Sequence, residues 1–268
     1  MPIYKASGKV AFLLFAIIST LTIISSQAIA AQNDITFCSD NNYWYPFTYV
    51  NDDGEAAGVH VDIVKQAARN LGYNVEFKPM LWQDCLDSAR GNLVHGVVTA
   101  SYKQERAQYM NYPVDAVTAK RSASRVAQVE YIVVVSSDSN YDFKGDLNTL
   151  PEPVRVAKGY SIVSTLRESN RKIYESKTGE LRNIEKLAKL KSGSVITTPE
   201  VYHHLQKDPN FKGLLKSNLF PISSKSYHLT FAKGAPFDAS QENAIWDEVA
   251  RLRDDPKFMG ALTEKYLR

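Results

Sequence analysis

The sequence predicts an α/β protein with mainly parallel sheets, and three observations support this class. Strand and helix patterns alternate regularly in the first part of the chain, and a second series of the same kind occupies its middle. Hydrophobic residues make up 44% of the chain, and no low-complexity tract interrupts them, so we expect a sizeable core. The length of 268 residues allows one large domain or two smaller lobes.

The first residues are typical of a secretory signal peptide. Lys5 and Lys9 precede an apolar stretch over residues 10–24, and a small-residue site ends at Ala30. This order predicts export, with residues 1–30 removed by cleavage after Ala30. A transmembrane anchor is the alternative, but hydroxylated residues interrupt the stretch, and a span needs about 20 apolar residues. A lipoprotein needs a cysteine at the cleavage point, and the nearest one is Cys38, so we expect a free, soluble periplasmic protein.

The first α/β unit follows the leader in the order strand, helix, strand, helix, strand. The expected strands cover residues 34–38, 74–77 and 96–99, and the expected helices cover about residues 59–71 and 82–90. The apolar residues of each helix lie on one face, and Gly72 and Gly91 follow as stop signals. This order is typical of a parallel sheet with crossover helices.

The middle of the chain predicts a second α/β unit. Its expected strands cover residues 131–135, 154–157 and 195–197, and its expected helices cover about residues 162–171, 184–191 and 200–206. The alternation of Tyr227, Leu229 and Phe231 then predicts a last strand, and two amphipathic helices close the chain.

Composition also limits the partners. The chain has 32 basic and 29 acidic residues, a formal net charge of +3, so nothing suggests a nucleic-acid-binding protein. His203 and His204 are adjacent and point to different faces of a short helix, and no second cluster with metal-ligand spacing accompanies them. We therefore expect no metal and no cofactor.

The two cysteines, Cys38 and Cys85, both follow the leader and would enter an oxidising compartment. A single disulfide is one interpretation, and two unpaired buried thiols are the other. Because Cys38 ends the first strand and Cys85 lies in the first turn of a helix at the same rim, we predict the disulfide.

Three segments carry a family resemblance. They are Tyr45-Pro46-Phe47 followed by Asp53-Gly54 and Gly58-Val59-His60-Val61-Asp62, Trp82 ahead of Ser101-Tyr102-Lys103-Gln104-Glu105-Arg106, and the closing pattern from Trp246 to Tyr266. Together they resemble the periplasmic solute-binding proteins of amino-acid ABC transporters, the extracellular solute-binding proteins of family 3. The pattern Trp82-Gln83-Asp84-Cys85-Leu86 is similar to a subgroup whose ligands are mostly unassigned.

The resemblance implies a hinged clamp of two α/β lobes. Residues 31–129 and 227–268 would form lobe one, residues 130–226 would form lobe two, and two strands would cross the hinge. A ligand would lie between the facing rims, beyond the carboxyl ends of the strands.

The resemblance also implies that Arg106 holds a ligand carboxylate. A guanidinium offers a planar fork of donors to both carboxylate oxygens and keeps its charge when it is desolvated. Ser101 and Thr99 would complete this carboxylate site from the end of a strand. The alternatives are a solvated arginine beside Glu105 and exposed loop hydroxyls.

The remaining expected contacts come from both lobes. Trp44 would place a ring over the ligand. Tyr160 and Ser161 lie at a helix start that attracts an anion, although Ser161 is equally well explained as an N-cap. Thr198 stands where amino-acid binders have an aspartate for the α-ammonium group, with Glu200 as a conceivable substitute. This departure weakens the case for an amino acid as the ligand, whereas a carboxylate is still expected.

We therefore predict a monomeric protein that is not an enzyme and that delivers a small carboxylate to an ABC-type permease. A sensory protein that presents its ligand to a membrane receptor is one alternative. A cyclohexadienyl or arogenate dehydratase on the same fold is another. Elimination needs a general acid or base, and the only acids near the motif residues are Glu105 and Glu200.

Overall fold

The computed structural model describes residues 1–2, 34–177 and 179–267. Apart from its first two residues, the signal peptide expected over residues 1–30 lies outside this part of the chain. No helix within the described ranges has the length and apolar character that crossing a membrane requires.

The strands are named here in chain order. They are β1 (Asp34–Asp40), β2 (Tyr49–Val50), β3 (Ala56–Ala57), β4 (Asn74–Met80), β5 (Gly96–Ser101), β6 (Met110–Asn111), β7 (Ala127–Ser136), β8 (Val154–Ala157), β9 (Ile173–Ser176), β10 (Ser194–Thr197), β11 (Leu215–Lys216) and β12 (Pro221–Ala232). The α-helices are α1 (Val59–Asn70), α2 (Trp82–Arg90), α3 (Ile162–Leu166), α4 (Gly179–Leu190), α5 (Pro199–Leu205), α6 (Ala239–Arg253) and α7 (Pro256–Tyr266).

One sheet runs through the described part of the molecule in the order β4-β1-β5-β12-β7-β10-β8-β9, while β6 pairs with β12 and β11 with β7. At one end β1 pairs in parallel with β4 and β5, and at the other end β8 pairs in parallel with β10 and β9. The long strands β7 and β12 pair antiparallel to each other between these two ends. Two mainly parallel halves joined by two long strands form the two-lobed α/β architecture, which confirms the expected fold class.

The closing helices pack on the first half of the chain. Ile245, Trp246 and Val249 of α6 share a core with Ile63 and Val64 of α1. This packing agrees with a first lobe built from both ends of the chain. The limits between residues 129 and 130 and between residues 226 and 227 stay a prediction, because β7 and β12 continue through them without a break.

Two elements of the middle unit differ from the sequence prediction. The helix expected over residues 162–171 ends at Leu166, and a strand, β9, follows after a polar stretch. The strand expected from Tyr227 begins six residues earlier, at Pro221. In both cases pairing with a distant strand, β8 for β9 and β7 for β12, decides the structure, and the local pattern does not reveal it.

A disulfide joins Cys38 in β1 to Cys85 in α2, with their Cα atoms 5.6 Å apart. Both cysteines are fully buried. The bond therefore ties α2 to the strand that lies beneath it, next to the facing surfaces of the two halves.

Candidate functional site

A cavity lies between the two halves of the molecule, and we call it the inner cavity. The space between its lining residues is about 360 Å³ when the open solvent at its mouth is included. Residues from both halves line it, and they are Asp40, Trp44, Thr48, Trp82, Val97, Val98, Thr99, Arg106, Tyr131, Tyr160, Ser161 and Tyr227. Five of these twelve residues are aromatic, and the wall has one basic and one acidic side chain.

Arg106 provides the positive charge of the inner cavity. A short 3-10 turn after β5 carries it, and its exposed fraction is only 3%. One guanidinium nitrogen donates to the carbonyl oxygen of Ser101 at 3.0 Å and to its Oγ at 3.3 Å. The other terminal nitrogen donates to the carbonyl oxygen of Gly159 at 3.0 Å, on the opposite wall.

No carboxylate of the described residues forms an ion pair with Arg106. Neutral oxygens and the ring of Trp82, 5.1 Å from the guanidinium carbon, are its partners. A desolvated cation without a counter-ion is costly. The site therefore favours an anion that enters the cavity.

Asp40 provides the negative charge and was missed by sequence reasoning. It is the last residue of β1, it is buried, and it accepts hydrogen bonds from the hydroxyl of Tyr160 at 2.7 Å and from the backbone N–H of Asn42 at 3.0 Å. Burial, only partly offset by these hydrogen bonds, raises its pKa to about 6. The position of an acid at the carboxyl end of the first parallel strand was the available signal.

The aromatic wall surrounds Trp44, whose ring centroid lies 5.3 Å from that of Tyr227 and 6.2 Å from that of Tyr160. The indole N–H of Trp44 and the hydroxyl of Thr48 are buried and find no partner among the described residues. Unsatisfied polar groups of this kind are costly unless a ligand or water pairs with them. They add two hydrogen-bonding groups for a ligand.

The side chain of Thr99 forms a hydrogen bond with a buried histidine. Its Oγ1 lies 3.1 Å from Nδ1 of His60, and both residues are buried. Burial lowers the pKa of His60 to about 3, so this imidazole is neutral at ordinary pH. The neutral ring adds no charge next to the cavity.

Direct contacts across the inner cavity hold the two halves close together. The indole N–H of Trp82 donates to the carbonyl oxygen of Gly159 at 3.0 Å, and Oγ of Ser161 lies 3.2 Å from the hydroxyl of Tyr227. The Tyr160–Asp40 bond also crosses from one half to the other. The structure is thus a closed form of the clamp.

The structure brings most of the expected site residues together. Those that line the inner cavity are Thr99, Trp44, Tyr160, Ser161 and Arg106. Ser101 holds Arg106 from behind. Ser161 makes no side-chain cap bond to α3, so its hydroxyl is used in the cavity.

Thr198 lies elsewhere. Its hydroxyl caps α5 by accepting from the backbone N–H of Val201 at 3.4 Å, and it is not part of the cavity wall. Glu200, the conceivable substitute for the missing aspartate, is not part of the wall either.

A second buried acid, Glu180, lies in α4 within electrostatic range of Asp40. One of its oxygens accepts from the hydroxyl of Thr197 at 2.7 Å, and the other has no partner among the described residues. Burial raises the pKa of Glu180 to about 8, so it is largely protonated at neutral pH.

Comparison with known proteins identifies the family and the fold. The sequence model of a protein family, the bacterial extracellular solute-binding proteins, family 3, matches residues 35–192 of this chain. No curated protein matches the sequence at a significant level.

Solved structures show the same fold. A mutant of ArgBP from T. maritima is 18% identical over 90% of this chain and 98% of that one, with a TM-score of 0.69. The substrate binding protein of an amino acid ABC transporter is 17% identical over 87% and 98%, with a TM-score of 0.68. The ancestral amino acid-binding protein AncCDT-1, a precursor of cyclohexadienyl dehydratase, is 17% identical over 90% and 99%, with a TM-score of 0.67.

Proposed function

The chain belongs to the bacterial extracellular solute-binding proteins of family 3, and we propose that it captures a small carboxylate-bearing ligand, an amino acid or a related acid, for ABC-type uptake. One observation carries the choice of ligand. Arg106 is buried in the wall of the cavity between the lobes, and no acid of the described residues neutralises it. A ligand carboxylate supplies the missing counter-ion and accepts the remaining N–H donors of the guanidinium.

Each part of the inner cavity has a role in this proposal. Arg106 and Thr99 hold the carboxylate, and the ring of Trp44 covers the apolar part of the ligand. Asp40 pairs with a ligand amino group, since an ammonium ion stabilises the ionised form of a buried carboxylate. This assignment gives the amino group an acid partner on lobe one, whereas the sequence left it without one at Thr198.

Location and partners are part of the same proposal. The leader over residues 1–30 sends the protein to the periplasm, where a monomer delivers its ligand to a membrane permease. The family description and the fold of the amino acid ABC transporter protein support this role.

The test is a thermal-shift screen against amino acids, dicarboxylates, oligopeptides and aromatic acids. A ligand at 100 times its dissociation constant stabilises the folded protein by about 2.7 kcal/mol. The best ligand is then compared with its amide and with its des-amino analogue. We expect the amide to bind poorly, and equal binding of the amide would refute the role of Arg106.

The des-amino analogue tests Asp40. We expect it to bind more weakly than the parent to the wild type and about equally well to Asp40→Asn. If it binds as well as the parent to the wild type, Asp40 does not hold an amino group.

We propose binding without turnover. The dehydratase alternative is favoured by one observation, an acid with a raised pKa in the cavity wall, together with the resemblance of the fold to AncCDT-1. Incubation of the purified protein with prephenate decides between the two. Formation of product at a rate that Asp40→Asn abolishes would replace binding with catalysis as the function.

A further inference from the structure

A second cavity adjoins the inner one, and we call it the outer cavity. It has an unfilled volume of about 660 Å³, and Arg106 and Tyr160 belong to the walls of both cavities. The outer wall includes exposed residues of both halves, so this space lies between the buried ligand site and the surface.

The wall of the outer cavity carries more positive than negative charge. Its five basic residues are Arg90, Lys103, Arg106, Lys158 and Arg167, and its two acidic residues are Glu105 and Glu175. Two of the bases are neutralised by neighbours, since Arg167 pairs with Glu175 and Arg90 pairs with Asp87 outside the wall.

The other three bases have no such partner. Among the described residues, Lys103, Arg106 and Lys158 form no ion pair, and the one acid left in the wall, Glu105, is exposed to solvent. Lys103 follows β5 on one side of the cleft, and Lys158 follows β8 on the other. Closure of the clamp therefore brings positive charges that lack an ion-pair partner from both sides towards one space.

Neighbouring side chains show the resulting repulsion. Burial, followed by the charge of Arg106, lowers the pKa of Lys103, and the charge of Arg167 across the cleft acts in the same direction, while Glu105 and Glu175 act against it. Burial, followed by the charges of Lys103 and Arg106, also lowers the pKa of Lys225 in β12. An anion in the outer cavity would relieve this repulsion in the closed form.

We propose that the outer cavity binds an oxyanion, a carboxylate or a phosphate group, between Lys103 and Lys158. This inference rests on the proposed function and assigns the ligand to small molecules with two acidic groups, one at Arg106 in the inner cavity and the second in the outer cavity. A free anion from solution has the same chemistry, and the experiment separates the two sources.

The first arm uses inorganic phosphate alone, which needs no cleft ligand. Thermal unfolding is followed in phosphate and in chloride at constant ionic strength for wild type, Lys103→Gln and Lys158→Gln. Lys103→Arg retains the charge, and Lys257→Gln removes a charge from the exposed face of α7, so both serve as controls. We expect phosphate to raise the unfolding midpoint of the wild type and of both controls by more than that of the two cleft variants. Equal shifts in all five proteins would overturn the proposal.

The second arm compares ligand pairs that differ in one acidic group, L-glutamate with L-glutamine and O-phospho-L-serine with L-serine, by calorimetry. In at least one pair the wild type should prefer the acid by roughly tenfold, and each cleft substitution should reduce this preference by roughly three- to tenfold. If phosphate stabilises the wild type as expected but the neutral member of each pair binds as well as the acid, the bound oxyanion comes from solution. The ligand then does not carry a second acidic group.

Arg106→Ala separates this inference from the proposed function. It should weaken the binding of both members of a pair by at least roughly 30-fold, whereas Lys103→Gln should affect the acid alone. Unchanged binding in Arg106→Ala refutes the proposed function, while the phosphate arm still decides whether the outer cavity binds an anion.

Discussion

The two walls of the inner cavity differ in what they contribute. The wall from the first part of the chain holds both charges, Arg106 and Asp40, and the disulfide lies behind it. The wall from the middle of the chain contributes the hydroxyls of Tyr160 and Ser161 and no charge, and the carbonyl oxygen of Gly159 beside it accepts from the indole of Trp82. We call the first wall the selecting wall, because its charges select the ligand. We call the second wall the closing wall, because it closes over the ligand.

Removal of the charge from the selecting wall should have the largest effect. Arg106→Ala leaves a buried ligand carboxylate without its partner, which typically costs about 2–5 kcal/mol, so we expect affinity to fall roughly 30-fold to several thousand-fold. Arg106→Lys should recover little, because a point charge cannot form both hydrogen bonds. Calorimetry with the ligand from the screen measures both variants, and Arg251→Ala on the exposed part of α6 is the control. An affinity within threefold of wild type would contradict the assignment.

The disulfide behind the selecting wall should contribute mainly to the stability of the protein. Cys38→Ala with Cys85→Ala opens a loop closed by residues 47 apart, and the chain-entropy model gives a loss of about 4 kcal/mol in the free energy of unfolding. Denaturant titration measures this loss. Reductant should reproduce it in the wild type and have no effect on the double variant. A double variant as stable as the oxidised wild type would show that the bond does not brace this wall.

The acid of the selecting wall should give the protein a pH dependence. The pKa of Asp40 is raised from 3.8 to about 6, so the unfolded chain loses this proton before the folded one does. The stability that Asp40 contributes is complete below about pH 4 and is lost as the pH rises towards 6, a loss of about 3 kcal/mol.

Asp40→Asn isolates this effect from other titrating groups such as Glu180. We expect the free energy of unfolding, measured without ligand, to fall less between pH 4 and 6 in the variant than in the wild type. Identical slopes over this interval would mean that Asp40 is not desolvated in the ligand-free protein.

A single methyl group added at Gly159, next to the closing wall, should weaken ligand binding. Gly159 has a φ of +76°, and a Cβ there would lie 3.2 Å from Cδ1 of Trp82 and 3.3 Å from Oε1 of Gln83 on the opposite wall. Gly159→Ala should therefore disfavour closure and weaken ligand binding by roughly five- to thirtyfold, the equivalent of about 1–2 kcal/mol.

Gly213→Ala is the matched control for this substitution. Gly213 has nearly the same φ, +77°, but a Cβ there would have no neighbour within 4 Å. The control should lose stability through backbone strain and keep the affinity of the wild type. An equal loss of affinity in both variants would show that the contact with Trp82 is not the cause.

The selecting wall was the more predictable from sequence. Arg106 and Trp44 belong to local motifs of side chains that can be recognised without a structure. The strand expected over residues 34–38 stops short of Asp40, because Ser39 and the asparagines after Asp40 form a polar run that is typical of a turn. The structure instead continues β1 to Asp40, which pairs with Met80 of β4, and this register is a long-range property.

The closing wall was less predictable for a different reason. Gly159 acts through a backbone carbonyl, which every residue has, so no side-chain pattern indicates its role. The early end of α3 and the presence of β9 likewise depend on pairing with β8. Periodicity predicted the order of elements in both lobes, whereas contacts between distant segments determine how the lobes meet.

The hydrogen bond from Trp82 to Gly159 gives the molecule an optical signal of its own. Of the three tryptophans, Trp82 and Trp44 line the inner cavity, while Trp246 is buried in the core with its N–H bonded to the carbonyl oxygen of Leu229. When the lobes separate, water replaces the carbonyl partner of Trp82 and its indole emission shifts to longer wavelength. Trp246 keeps its surroundings and serves as an internal reference, so opening and closing can be timed in the unlabelled protein.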